Sequence, residues 1–167
     1  MASEHQGDVI VAQKQVYKMG IEGAGPKIMA PAAIAFIVAA ALSYAYRPAL
    51  DMAFVPRGIT LTLGAVLVMI GVLIWLPAVA CILLAYRKDE MATRGPHALM
   101  PNPIYSSWTV FVLPGIALLL NWWLLLAAPI VMYMVFRAFI KDEEDCMRQR
   151  YGRKYEEYRN KVLLKFL

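Results

Sequence analysis

The fold is decided by the segment GITLTLGAVLVMIGVLIWLPAVACILLAY, residues 58–86, which contains no Asp, Glu, Lys or Arg. Uncharged apolar runs of about 18 residues or more are typical of transmembrane helices. A straight helix of this length would measure about 43 Å, whereas the hydrocarbon core of a bilayer is only about 30 Å thick. We therefore expect the helix to tilt, project or bend, and Pro77 favours a bend because it lacks an N–H and crowds the preceding turn.

A second charge-free stretch covers residues 28–46 and predicts another span. It is rich in Ala, and small residues let helices approach closely in lipid. We therefore expect its Ala-rich face to contact another helix, and the same face could support a homodimer.

The apolar stretch of residues 104–140 is too long for one span and about right for two short ones. Asn121 lies near its middle and tolerates turn geometry, and Trp122, which follows, is of a type that prefers the membrane interface. The pattern predicts a tight helical hairpin whose two spans are residues 104–120 and 122–140.

The predicted organisation has three parts. An all-α, polytopic transmembrane bundle of about four spans covers residues 28–140. Residues 1–27 mix acidic and basic side chains and lack the apolar core of a signal peptide. We interpret them as a cytoplasmic extension with a short amphipathic helix at Val9–Met19. Residues 141–167 are charged and amphipathic, and they predict a helical tail on the cytoplasmic side.

Composition supports a membrane protein and argues against other classes. The chain is 60% hydrophobic and 17% charged, whereas a soluble domain is nearer half apolar and one quarter charged. The net charge of +5 does not indicate nucleic-acid binding, because the basic residues flank the spans and form no separate stripe. Cys81 lies in a span and Cys146 in the tail, so we predict neither a disulfide nor a metal site.

The basic residues also predict the orientation of the chain. If the N-terminus is cytoplasmic and four spans follow, 15 of the 17 basic residues lie inside, and only Arg47 and Arg57 lie outside. This distribution fits the positive-inside rule. It places the loop after the second span and the C-terminal tail on the same side, where together they could build one site.

Two polar segments on that side carry the candidate chemistry. The loop of residues 93–105 contains a Gly-Pro dipeptide, which favours a turn, and a Pro-Asn-Pro tripeptide, which makes the chain rigid. It is either a stiff turn that re-enters the membrane or a loop that presents backbone groups to a ligand. The four acidic residues 142–145 either stabilise the start of the tail helix or provide carboxylates for hydroxyls or a cation.

These segments resemble the paired motifs of the isoprenylcysteine carboxyl methyltransferase and phospholipid methyltransferase family. The loop is similar to the family pattern Gly-Pro-Tyr-x-x-x-Arg-His-Pro-x-Tyr. About 38 residues later the family has an acidic pair, a Phe/Tyr-Gly-x-x-Tyr-x-x-Tyr segment and a Val. The resemblance covers about residues 64–162 and includes the hairpin between the motifs. The matching positions in this chain are Gly95, Pro96, Pro103, Tyr105, Glu143, Glu144, Tyr151, Gly152, Tyr155, Tyr158 and Val162.

The resemblance implies a methyltransferase that uses S-adenosylmethionine and has an all-helical membrane fold. It implies that the proline-rich loop, the hairpin and the tail enclose the cofactor at the cytoplasmic face. The acceptor, a lipid or lipid-like group such as an isoprenylcysteine carboxylate, would arrive laterally from the bilayer. The positions that the resemblance assigns to the cofactor are Gly95, Pro96, Asn102, Pro103, Tyr105, Glu143, Glu144, Tyr155 and Tyr158.

The expected mechanism is direct displacement of a methyl group, in which positioning and desolvation do most of the work. An acceptor carboxylate or thiolate needs little help from a base. An amine must lose its proton first, and His97 or Glu143 are the candidate catalytic residues for that step.

Two departures from the family pattern bear on activity. His97 replaces the family's Tyr, and Pro101-Asn102 replaces its Arg-His pair. Asn can donate a hydrogen bond as His does, whereas Pro can neither donate one nor pair with a carboxylate. Arg94 or Arg148 would have to supply the missing cation.

Two other functions stay open. A membrane sterol reductase would share this kind of C-terminal fold and bind NADPH there, but the chain is short for that group. Pro101 also removes one candidate partner for the nicotinamide cofactor's phosphate. A non-catalytic module would bind a lipid or a partner protein through the loop and the tail, and the lost Arg favours this alternative.

Overall fold

The computed structural model describes residues 25–88 and 90–164. The extension predicted for residues 1–27, including its helix at Val9–Met19, lies outside this range apart from the last three residues. The five principal helices are α1 (Gly25–Ala45), α2 (Arg57–Arg87), α3 (Pro103–Leu120), α4 (Trp123–Tyr151) and α5 (Arg153–Lys161).

The first four of these helices are long and apolar enough to cross a membrane. No strand occurs among the described residues, so the prediction of an all-α transmembrane bundle is confirmed. One difference concerns α4, which continues through residue 140 to Tyr151. The tail predicted from Lys141 therefore begins as the polar end of the fourth helix, because a helix satisfies its own backbone hydrogen bonds and can extend beyond the bilayer.

Helix α1 packs against α4 through its small residues. Ile28, Ala32 and Ala39 are buried at helical spacing. Ile28 and Ala32 belong to a core cluster that also contains Met132 and Phe136 of α4. This is the helix–helix contact that the Ala-rich sequence predicted, and it rests on close approach of the two backbones.

Helices α2 and α3 approach each other closely at three glycines, Gly64, Gly71 and Gly115. A Cβ atom on Gly64 would lie 2.8 Å from the carbonyl oxygen of Gly115, and one on Gly71 would lie 2.5 Å from a methyl group of Val112. Side chains at these positions would push the helices apart, so Gly is required by packing here. The remaining faces of α2 are apolar and exposed, as expected for a surface in contact with lipid.

The hairpin turns at Asn121, as the sequence predicted. Asn121 has φ 64° and ψ 32°, the left-handed conformation that Asn tolerates better than most residues. The guanidinium of Arg57 donates to the carbonyl oxygen of Leu119 at 2.7 Å, which satisfies a free group at the C-terminus of α3. The N–H of Met52 donates to the carbonyl oxygen of Asn121 at 2.9 Å, so the loop between α1 and α2 closes this end of the bundle.

At the opposite end, α5 folds back onto the loop that follows α2. The hydroxyl of Tyr158 donates to the carbonyl oxygen of His97 at 2.7 Å. Farther along, the N–H of Leu164 donates to the carbonyl oxygen of Leu99 at 3.0 Å. Gly152 separates α5 from α4 with φ 50°, a value that favours Gly. The loop after α2 and the C-terminal tail are therefore in contact.

Candidate functional site

A cavity of about 460 Å³ lies at the end of the bundle opposite the hairpin turn. All four long helices, the loop after α2 and α5 contribute to its walls. The volume falls within the range of roughly 300–1,000 Å³ that is usual for pockets that bind small molecules and cofactors. The cavity is therefore the candidate site of this protein.

Most of the residues assigned from the sequence meet at this cavity. Those that line it are His97, Asn102, Pro103, Tyr105, Glu143, Glu144, Tyr155 and Tyr158. Gly95 and Pro96 are not among the lining residues. Gly95 has φ 60°, and a Cβ atom there would lie 3.1 Å from the sulfur of Cys81. These two residues form the first turn of the short 3-10 helix Gly95–Ala98, which presents His97 to the cavity.

The start of α3 is shaped by local hydrogen bonds. The hydroxyl of Ser106 donates to the carbonyl oxygen of Asn102 at 2.8 Å, and that of Ser107 donates to the carbonyl oxygen of Ile104 at 2.7 Å. Residues Ser107–Val112 are π-helical, a wider geometry that is frequent at functional sites. It includes Trp108, which lines the cavity and makes an edge-to-face contact with Trp75.

The two residues of the acidic pair, Glu143 and Glu144, contact side chains on two different helices. The hydroxyl of Tyr105 donates to the carboxylate of Glu143 at 3.5 Å, a long hydrogen bond. Glu144 forms an ion pair with Arg159 of α5, and the hydrogen bond to Glu144 raises the pKa of that guanidinium. One carboxylate thus meets the loop motif, and its neighbour holds the tail helix against α4.

His97 is buried, and one of its two ring nitrogens has no hydrogen-bond partner among the described residues. The residue is only 4% exposed. Its Nδ1 atom has no hydrogen-bond partner in the part of the chain that the structure describes. Burial lowers the pKa of His97 to about 4, so the imidazole is neutral at neutral pH. A ring with so low a pKa is a weak proton acceptor, whereas it is well suited to a hydrogen bond with a bound ligand.

The tail tyrosines are also removed from water. Burial raises the pKa of Tyr155, and it raises the pKa of Tyr158 to about 12. Both phenols are therefore neutral at physiological pH. Their hydroxyls can donate hydrogen bonds while their rings cover the cavity, and Tyr158 uses its hydroxyl to hold the backbone of His97.

Several lining residues were missed in the sequence. They include Trp75, Glu90, Trp108, Met147 and Arg150. A signal for two of them was present: Met147 and Arg150 follow Glu143 by four and seven residues, which places them on the same helical face.

A second, almost wholly apolar cavity of about 210 Å³ adjoins the first. It lies between α1, α3 and α4 and is lined by residues such as Phe36, Leu113 and Met132. Met29 and Trp108 line both cavities. The polar-ended site therefore borders an apolar groove within the membrane-spanning part of the bundle.

No metal centre is visible in residues 25–88 and 90–164, since no group of three or more His, Cys, Asp or Glu there could hold an ion. Two carboxylates of the cavity instead meet other side chains: Glu143 accepts from the hydroxyl of Tyr105, and Glu144 pairs with the guanidinium of Arg159.

The four membrane-length helices and the cavity at one end of the bundle define an integral membrane protein with a ligand-sized site. The chain belongs to the phospholipid methyltransferase family, whose family model matches residues 58–154, more than half of the sequence. The match covers α2 from its second residue, the loop, α3, all of α4 and the first two residues of α5, and it leaves α1 outside.

Two similar proteins are known as probable protein-S-isoprenylcysteine O-methyltransferases, from Oryza sativa subsp. indica and Oryza sativa subsp. japonica. Each is 33% identical to this chain over 75 residues, which are 45% of this chain and 39% of the relative. The chain thus matches about two fifths of the length of these relatives. No solved structure matches the chain.

Proposed function

We propose that the protein is a membrane-embedded methyltransferase that uses S-adenosylmethionine and methylates a lipid or a lipid-linked group. One observation carries the proposal: Tyr105 of the loop motif and Glu143 of the acidic motif are 38 residues apart, yet they meet across one cavity at 3.5 Å. The cavity is lined by both halves of the paired motif that the family resemblance singled out. The names of the family and of the rice relatives support the same reaction class.

The residues around the cavity fit the proposed cofactor. S-adenosylmethionine carries a cationic sulfonium, an amino-acid end and an adenosine with several hydrogen-bonding groups. The carboxylates of Glu90, Glu143 and Glu144 complement the cationic groups. The buried Nδ1 atom of His97 can accept a hydrogen bond from the adenosine moiety, which would satisfy an otherwise costly buried atom. Trp75 adds an apolar aromatic surface.

In the mechanism, the chain's own residues position the reactants and exclude water. When bound, S-adenosylmethionine supplies a positively polarised methyl group on sulfur. Tyr155 and Tyr158 cover the site from the side of α5, and the Tyr105 hydroxyl holds the carboxylate of Glu143 in place. Glu143 would orient an acceptor N–H or O–H, and His97, with its low pKa, would bind ligand and not take up a proton.

The apolar groove supports an acceptor that carries a hydrocarbon chain. Because Met29 and Trp108 line both cavities, a chain lodged between α1 and α3 would bring its polar end to the cofactor cavity. Because such a chain is already in hydrocarbon before it binds, the groove would hold it by van der Waals fit and not by transfer from water. A prenylated cysteine carboxylate, which the relatives' name indicates, and a phospholipid headgroup, which the family's name indicates, both have this form.

We also propose that the cavity faces the cytoplasm. The two basic residues assigned to the outside meet the hairpin end of the bundle. The guanidinium carbon of Arg47 lies 4.5 Å from the centroid of the Trp122 ring. Arg57 donates to a carbonyl oxygen at the end of α3. Most other basic residues belong to the cavity end or to the segments next to it, as the positive-inside rule requires.

The test is calorimetric titration of S-adenosylhomocysteine into the detergent-purified protein, with NADPH titrated in parallel. We expect saturable binding of S-adenosylhomocysteine alone, and we expect Glu143→Gln to weaken it about tenfold or more. Glu157→Gln is the matched control, since Glu157 is exposed and pairs with Arg153. Binding of NADPH alone would indicate a reductase, and binding of neither would indicate a non-catalytic module.

A further inference from the structure

The charges that line the main cavity are unevenly divided. Among the described lining residues, the carboxylates belong to Glu90, Glu143 and Glu144, and the single permanent cation is Arg150. His97 is neutral at neutral pH. Arg150 is therefore the described lining residue whose permanent charge has the sign that attracts the anionic group of a ligand with both signs of charge.

The other arginines near this end are placed elsewhere. Arg94 and Arg148, the two residues expected to replace the arginine lost at Pro101, do not line the cavity. Arg148 lies 2.9 Å from Asp145 and 2.8 Å from Glu156, on the exposed side where α4 and α5 meet. Arg159, which pairs with Glu144, does not line the cavity either.

Arg150 has a different position on the same helix. It follows Glu143 by seven residues, which is about two helical turns, so both lie on the face of α4 that lines the cavity. Its guanidinium carbon lies 5.3 Å from the centroid of the Tyr151 ring, which also lines the cavity. Contact with an aromatic ring restricts a long side chain, and a planar guanidinium matches a carboxylate with two parallel hydrogen bonds.

We propose that Arg150 binds the carboxylate of the cofactor's amino-acid end, and so fixes which way the cofactor lies in the cavity. The inference rests on the proposed function. In this orientation the cofactor's amino-acid end lies at the junction of α4 and α5. The carboxylates of Glu143 and Glu144, one to two turns earlier in α4, then face the cofactor's cationic groups. Pro101 needs no replacement at its own position in this arrangement.

The experiment compares two probes that differ only in the carboxylate: S-adenosylhomocysteine and its decarboxylated form. Both are titrated by calorimetry into the wild-type protein, Arg150→Gln and Arg150→Lys. We expect the wild type to bind S-adenosylhomocysteine about 10- to 100-fold more tightly than the decarboxylated probe. Arg150→Gln should bind both probes about equally, and Arg150→Lys should recover part of the difference.

Arg153→Gln is the control, because Arg153 is 92% exposed and pairs with Glu157 outside the cavity. It should preserve the wild-type preference. Equal binding of the two probes by the wild type would overturn the proposal without recourse to any variant, as would a preference that survives in Arg150→Gln. If the wild type binds neither probe, the proposed function itself fails, and that result is distinct from the loss of the preference alone.

Discussion

At the scale of single residues, His97 shows how burial changes the chemistry of a side chain. The sequence presented it as a polar loop residue and a candidate base. In the structure it is a buried residue of the 3-10 helix, and desolvation lowers the pKa of its imidazole to about 4 from an ordinary value of 6.5. Its suitable role is therefore that of a neutral hydrogen-bonding group, and the candidate base becomes a candidate ligand-binding residue.

The low pKa of His97 predicts a pH-dependent stability. The unfolded chain takes up a proton at this residue below about pH 6.5, whereas the folded chain does so only near pH 4, so the folded state loses stability as the pH falls through this window. Between pH 7 and pH 5 the expected loss is about 2 kcal/mol from this group. Thermal unfolding in detergent at both pH values should show a smaller decrease for His97→Gln than for the wild type; an equal decrease would contradict the assignment.

Asn121 is the second residue whose conformation matters, because its φ of 64° lies in the left-handed region. A β-branched side chain is strained there, and we expect Asn121→Val to cost about 1–2 kcal/mol. Asn121→Gly should be nearly neutral, since Gly adopts this conformation readily. The melting temperatures of the two variants in detergent test the prediction, which fails if Val is tolerated as well as Gly.

At the scale of elements, close helix packing sets the shape of the bundle. Gly64 and Gly115 bring α2 and α3 into backbone contact, and Ala32 of α1 packs in one buried cluster with Ala128 and Met132 of α4. The π-helical segment Ser107–Val112 then widens α3 at the level of the cavity. Helix α3 is thus packed tightly against α2 at one end and widened at the other. As a result, Trp108 lies where the polar and apolar cavities meet.

The α2–α3 contact predicts opposite effects for two glycines of the same helix. Gly64→Ala would place a Cβ 2.8 Å and 2.9 Å from backbone atoms of α3, so the helices must move apart, and we expect a loss of about 1–3 kcal/mol. Gly58→Ala meets no atom within 4 Å, so it should be neutral or stabilise by up to about 1 kcal/mol. Thermal unfolding of both variants tests this, and similar melting temperatures would refute the tight contact.

At the scale of the whole molecule, the two ends of the bundle differ in structure: one is closed and the other holds the cavity. The hairpin end is closed by the Asn121 turn and by Arg57 on the last carbonyl groups of α3. The other end is open enough to hold a cavity, and α5 covers it by folding back onto the 3-10 helix. Helix α1 lies outside the segment matched by the family model, yet it forms one wall of the apolar groove.

The apolar groove predicts that chain length governs the choice of acceptor. Ala33 lines the groove on α1, so Ala33→Phe should fill part of it and reduce methylation of a long-chain acceptor at least tenfold. A short-chain analogue with the same polar end should react as before. Ile34→Phe is the matched control, since Ile34 is exposed and is not among the groove-lining residues. Initial rates with the two acceptors provide the measurement; equal losses for both would contradict the groove assignment.

The sequence by itself determined the spans, the hairpin turn and the two polar segments that meet. A long uncharged segment in lipid must satisfy its backbone hydrogen bonds internally, so the helices follow from local composition alone. Asn121 fixed the turn for a similarly local reason, the tolerance of Asn for a positive φ.

Only the tertiary structure decided which side chains the cavity contains. Arg148 and Arg150 are two residues apart on one helix and chemically alike, yet Arg148 pairs with Glu156 outside and Arg150 lines the cavity. Residues two apart on a helix point in roughly opposite directions, but which of the two directions faces a cavity was decided by where α5 docks, a contact between segments that are distant in sequence. Burial of His97 depends on the same docking, since no local pattern in the loop reports which helix will cover it.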